Sequence, residues 1–118
     1  MIKGETMSSS KVVILTAENF DTIALAADRT VIVDFWATWC PPCRALAPTI
    51  AALAEERPDV VVGKLDVDDH PAIAERYGIQ SIPTVLVFRS GTLASRSIGL
   101  VPIDRLREML GRPVEATA

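Results

Sequence analysis

The chain has 118 residues, 49% hydrophobic and 23% charged, with 12 basic side chains against 15 acidic ones and a formal net charge of −3. At roughly 100–200 residues per domain, that is one compact unit able to bury a core without metal or disulfide staples. The basic residues are scattered, which argues against nucleic acid or an anionic membrane as partner. The longest uncharged run, Tyr77 to Phe88, is shorter than the about 20 apolar residues of a membrane span and is broken by Gly78, Gln80, Ser81 and Pro83.

Residues 1–10 hold one lysine and no apolar core of the signal-peptide kind. They are read as a flexible segment, and export is not expected. Val12-Val13-Ile14-Leu15 reads as a first strand, and Thr16 as the cap of a helix whose apolar face is Phe20, Ile23 and Ala27. Val31 to Trp36 is β-branched and aromatic at consecutive positions, the pattern of a strand covered on both faces and therefore central in its sheet. Over Pro42 to Glu56, Leu46, Ile50 and Leu53 recur at helical spacing. Pro42 suits the first turn, and Pro48 is expected to kink the helix by freeing the Arg44 carbonyl.

A second buried strand runs from Val60 to Asp66. A short helix opens at Pro71 with Ile73, Ala74 and Tyr77 inward, and Gly78 stops it. Thr84 to Phe88 and Leu93 to Ile98 flank Arg89-Ser90-Gly91-Thr92, a hairpin turn with Gly91 at the position needing positive φ. The last helix, Pro102 to Leu110, is expected to bury Ile103, Leu106 and Leu110 and to end at Gly111, leaving 112–118 as a tail. The order βαβαβαββα over residues 11–111 predicts an α/β domain: a mixed sheet between two helical layers, antiparallel in its final hairpin.

The only cysteines, Cys40 and Cys43, fall at the turn from the central strand into the long helix. A disulfide across so short a loop removes little unfolded-state entropy. If they bond, the reason is chemical. The segment Val33-Asp34-Phe35-Trp36-Ala37-Thr38-Trp39-Cys40-Pro41-Pro42-Cys43-Arg44 closely resembles the active-site stretch of the thioredoxin family, V-D-F-W-A-x-W-C-G-P-C-[KR], and departs from it at Pro41. The resemblance continues through Pro48, Lys64, Tyr77-Gly78-Ile79, Ser81-Ile82-Pro83-Thr84, Phe88-Arg89-Ser90-Gly91 and Gly99, and so spans about Val12 to Leu110. It implies the thioredoxin fold and a protein-disulfide reductase cycling between a Cys40/Cys43 dithiol and a disulfide, with no bound cofactor and no metal. It further implies NADPH as electron source through a flavoprotein thioredoxin reductase, disulfide-bearing proteins as substrates, a cytoplasmic location and a monomer.

Cys40, before the helix, would put its sulfur among unpaired N–H groups at the positive end of the helix dipole, where a thiolate is favoured. It is expected to be the nucleophile. Cys43, one turn inside, is expected to wait protonated and then resolve the mixed disulfide. Asp34 is either a satisfied core acid or, as the resemblance implies, the buried carboxylate that takes the Cys43 proton through water. Lys64 either pairs with Asp34 and tunes its charge or snorkels to solvent.

Trp36 reads as core, Arg44 as a solvated charge and His70 as structural. Trp39 is expected to cover the site and offer an apolar contact. The Ile82–Pro83 bond is a candidate cis bond. In the family this proline faces the dithiol and the residue before it pairs with an extended substrate segment. Trp39, Ile82 and Gly99 would then frame a shallow, promiscuous surface around Cys40.

Pro41 bears on the redox poise through two opposed effects. It removes an N–H near the Cys40 sulfur, which destabilises the thiolate. Ahead of Pro42 it is expected in extended geometry, stiffening the ring that the disulfide closes and making the bond easier to reduce. Glutaredoxins and periplasmic oxidants also carry proline after the first cysteine. The expectation is a couple tens of millivolts less negative than the about −270 mV of thioredoxin.

Other classes fit less well. A zinc site needs four ligands, and two cysteines with one distant histidine do not supply them. A non-catalytic binding module of the same fold has no use for Asp34, both cysteines and Pro83 together. The C-P-P-C sequence also resembles exported reductases of cytochrome c maturation, which usually carry an anchor and inserted structure not seen in this sequence.

Overall fold

The structure is a computed structural model that describes residues 11–26 and 28–113. The expected flexible start at 1–10, the inward Ala27 and most of the expected tail lie outside those residues. Nine elements follow in the anticipated order: β1 (Val12–Leu15), α1 (Phe20–Ala24), β2 (Thr30–Trp36), α2 (Pro41–Glu56), β3 (Val61–Asp66), α3 (Pro71–Arg76), β4 (Thr84–Arg89), β5 (Thr92–Ile98) and α4 (Ile103–Leu110). The five strands form one sheet in the order β1-β3-β2-β4-β5, with β2 in the centre. β3 runs parallel to β1 and β2, because helices carry the chain across between them, whereas β4 is antiparallel to both β2 and β5.

Alternation along β2 divides the core. Val31, Val33 and Phe35 face one layer with Phe20, Ala24, Ile73 and Ala74 of α1 and α3. In that layer Phe20, Tyr77 and Phe88 pack ring against ring at 5.3–5.8 Å between centroids. Ile32 faces the other layer with Leu46, Ile50 and Leu53 of α2 and Leu106, Met109 and Leu110 of α4. Asp34 and Trp36 share the face of Ile32, since side chains two apart on a strand point the same way. The sheet is thus covered on both sides, as the unbroken apolar run of β2 requires.

Local details depart from expectation for identifiable reasons. Thr16 and Asn19 cap reciprocally: the Asn19 N–H donates to Thr16 Oγ1 at 3.1 Å and the Thr16 N–H to Asn19 Oδ1 at 2.7 Å. The assigned helix α1 nevertheless starts at Phe20. The β4–β5 turn holds two left-handed residues, Ser90 (φ 52°) as well as Gly91 (φ 81°), because a two-residue hairpin loop of this twist needs positive φ at both centres. In α4 Met109 is buried beside Leu106 and Leu110, while Ile103 is only half-buried. Helix α2 is continuous across Pro48.

Candidate active site

At its carboxyl end β2 passes through Ala37, Thr38 and Trp39 into Cys40, an extended residue (φ −94°, ψ 107°) that is the N-cap of α2. Pro41 and Pro42 fill the first two helical positions and have no N–H. The first donor the helix can offer is therefore the Cys43 N–H, and it points at Cys40 Sγ, 3.2 Å away. The two sulfurs are bonded to each other, with Cα atoms 5.2 Å apart. Both cysteines are almost wholly buried, at 2% and 1% exposure.

The expected extended geometry at Pro41 is not found. The Arg44 N–H donates to the Cys40 carbonyl at 3.1 Å, a helical bond that spans Pro41, and a proline ring already holds φ near the helical value at a first position. The ring-stiffening argument for an easily reduced bond thereby loses its basis.

Two further segments close on the sulfurs. The Ile82–Pro83 bond is cis, and the Ile82 carbonyl oxygen lies 3.8 Å from Cys40 Sγ. The Gly99 N–H donates to the Pro83 carbonyl at 2.8 Å, so Gly99 (φ 95°) fastens the end of β5 to this loop. Beside the disulfide runs an open groove of about 190 Å³ bounded by Trp39, Val67, Ala74, Ile79, Gln80 and Ile82. Trp39 forms a wall of the groove rather than a cover. It is 63% exposed, and its indole N–H donates to Asp68 Oδ2 at 2.7 Å. Ile98 and Leu100, on either side of Gly99, are both exposed.

Asp34 stands on β2, two residues before Trp36 and on the same face of the sheet. It is 1% exposed, and neither carboxyl oxygen has a hydrogen-bond partner among the described residues. Burial pushes its proton affinity up, from the ordinary pKa of 3.8 to about 7, against a smaller opposing pull from Lys64. Lys64 lies opposite it across the β2–β3 pair. The lysine makes no hydrogen bond to the carboxyl, although its charge acts on it; its ammonium rests over the Trp36 ring, 4.2 Å from the centroid.

Trp36 is half-buried and packs against Ala37, Cys40 and Cys43. Alternation along β2, legible in the sequence, puts residues 34 and 36 on one face. The lysine's register is not legible there. His70 is structural as expected, with Nδ1 accepting from the Ala17 N–H at 3.1 Å, and exposed Arg44 donates to the Thr38 carbonyl. Among the described residues, no cluster of His, Cys, Asp and Glu could hold a metal ion, and no helix is long and apolar enough to cross a membrane.

The model of the thioredoxin family matches residues 11–112. A thioredoxin of Chlamydia caviae is 41% identical over 84% of this chain and 95% of its own length. A thioredoxin of Chlorobaculum thiosulfatiphilum is 44% identical over 80% of this chain and 89% of its own. Thioredoxin M5, chloroplastic, of Oryza sativa subsp. japonica is 41% identical over 90% of this chain and 62% of that protein. With the anticipated sheet, the cis-proline loop and a bonded Cys40–Cys43 pair at the mouth of a helix, the chain belongs to the thioredoxin family of protein-disulfide oxidoreductases.

Proposed function

We propose that this thioredoxin reduces protein disulfides in the cytoplasm as a monomer, drawing electrons from NADPH through a thioredoxin reductase, with Cys40 as nucleophile, Cys43 as resolving thiol and Asp34 as proton acceptor. The observation that carries the assignment is the order of the two sulfurs on α2. Cys40 caps a 16-residue helix and accepts its first N–H, so the helix dipole and that donor both favour a thiolate there. Cys43 lies within the helix, buried, where a thiol stays protonated.

In the reduced protein the Cys40 thiolate attacks a substrate disulfide. A Cys40–substrate bond forms, the substrate S–S bond breaks and one substrate thiolate leaves. Cys43 then gives up its proton and attacks Cys40 Sγ, which restores the Cys40–Cys43 bond and releases the second substrate thiolate. Two electrons have passed to the substrate. Bulk solvent has little access to Cys43, and a carboxyl of pKa about 7 suits the acceptance of its proton through water at neutral pH. The Ile82 carbonyl beside Cys40 Sγ and the groove along Trp39 suit an extended substrate segment paired in strand fashion, with Gly99 leaving room on the far side.

Cys43→Ser is expected to accumulate a stable mixed disulfide with substrate, and Cys40→Ser to trap none, as read on non-reducing gels. Equal trapping by the two variants would reverse or void the assignment.

A further inference from the structure

Asp34, Lys64 and Trp36 share one face of the sheet, and their arrangement is unusual for a lysine beside a buried acid. Lys64 and Asp34 are register partners on adjacent parallel strands, the placement from which an ammonium most readily reaches a carboxylate. Yet neither oxygen of Asp34 has a hydrogen-bond partner, and the Lys64 ammonium lies over the Trp36 ring. Trp36 follows Asp34 by two residues on β2, so the ring stands next along the same face and offers the lysine a competing site.

Among the described residues, Lys64 is the one charge seen to act on Asp34. β4 presents Val85 opposite Asp34. The cysteines, which pack against Trp36, are bonded and do not titrate in this form. On α4, Arg107 is exposed and bound to Glu56 and Asp104. On β3, Asp66 is the partner of Trp36, and its Oδ1 is taken up by the N–H groups of Asp68 and Asp69.

We propose that Trp36 is a positioning residue that acts through Lys64: its ring seats the ammonium beside the Asp34 carboxyl instead of on it, and so keeps that carboxyl free to take a proton. The functional consequence rests on the reading of Asp34 as the proton acceptor for Cys43. The seat itself does not. A lysine bonded directly to Asp34 would hold it as a carboxylate too weakly basic for the step. A lysine removed altogether would leave the carboxyl protonated further into the neutral range. The ring therefore holds the charge at an intermediate strength, and it also joins this device to the cysteines against which it packs.

In the wild-type protein the ε-methylene protons of Lys64 should resonate upfield of their unperturbed position, because they lie over the indole. Unperturbed resonances would overturn the proposal without any variant. In the oxidised protein, where only Asp34 titrates at this site, its carboxyl-carbon titration in Trp36→Leu should move down by roughly one pH unit, a tenfold loss of proton affinity, as Lys64 closes on the carboxylate. Trp36→Phe, which keeps an aromatic face, should titrate near wild type. In Trp36→Leu/Lys64→Met the fall should disappear. If it persists, water admitted by the missing ring is the cause and the proposal fails, as it also fails if Trp36→Leu leaves the titration in place. Because this titration reads Asp34 itself, its failure is separate from that of the catalytic reading, which unimpaired turnover in Asp34→Asn would sink.

Discussion

Among the described residues two charged side chains are buried, and the fold treats them in opposite ways. Arg57, 7% exposed, follows α2 and has a partner on each of its three nitrogens. Nε and Nη2 donate to the two carboxyl oxygens of Asp59 at 2.9 and 2.8 Å, and Nη1 donates to the Gly111 carbonyl at 2.8 Å. It ties the end of α2 to the residue that ends α4. Asp34, 1% exposed, has no such partners. Desolvation is the leading influence at Asp34, whereas at Arg57 the hydrogen bond to Asp59 outweighs it. The paired guanidinium keeps its charge, with Asp59 raising its already high proton affinity further, while the unpaired carboxyl drifts to a pKa of about 7 and becomes a titrating group. A buried charge with a partner on each nitrogen keeps its ionisation, and one without partners is left to titrate near neutrality.

The largest effect expected from this contrast is a gain in stability on removing the Asp34 charge. The native carboxyl binds its proton more tightly than the unfolded chain does, so stability falls as pH climbs from 3.8 to about 7 and the full penalty is present above that. At 1.36 kcal/mol per pKa unit the penalty is about 4 kcal/mol. Asp34→Asn, oxidised, should therefore resist denaturant better than wild type by about that amount at pH 8, with the gap closing toward pH 4. A variant no more stable at pH 8 would break the contrast from the acid's side.

Arg57→Met tests the other side. It strips a two-point carboxylate contact and a helix-end carbonyl of their donor, and about 2–3 kcal/mol of stability should be lost. The loss should be nearly flat between pH 5 and 8, where neither Arg57 nor an ordinary carboxylate titrates, and thiol–disulfide exchange at the distant cysteines should be unchanged. A loss below about 1 kcal/mol would mean that the pair is no more than a surface bridge.

What could be read from the sequence follows the range of the interactions. Consecutive apolar residues identified β2 as a strand buried on both faces, helical spacing of Leu46, Ile50 and Leu53 identified α2, and the cysteines between them fell where the structure has them. Those signals are local or set by the sheet as a whole. Ser90 was missed because its left-handed conformation is imposed by the strands on either side of it. The extended geometry expected of Pro41 yielded to hydrogen bonds that close the first turn of α2 over it. Contacts between distant segments left no trace at all: Arg57 with Gly111, Trp39 with Asp68, and the choice of Lys64 between a carboxyl and an indole depend on packing that no spacing encodes. At the site, the cysteines and Asp34 were legible as residue types in sequence order, and the want of a protein hydrogen-bond partner for the Asp34 oxygens was not.

The central claim is that the unpaired Asp34 is the proton acceptor for Cys43, and the pH dependence of mixed-disulfide resolution tests it most directly. A Cys40–substrate disulfide formed in rapid mixing should collapse to the Cys40–Cys43 bond in the wild type at a rate that rises through an inflection near pH 7 and then levels. In Asp34→Asn the same step should be slower near neutrality, with the inflection gone and the rate still climbing with hydroxide at higher pH. An Asp34→Asn profile that superimposes on the wild type, inflection included, would contradict the account and leave the carboxyl as a buried acid with no part in the reaction.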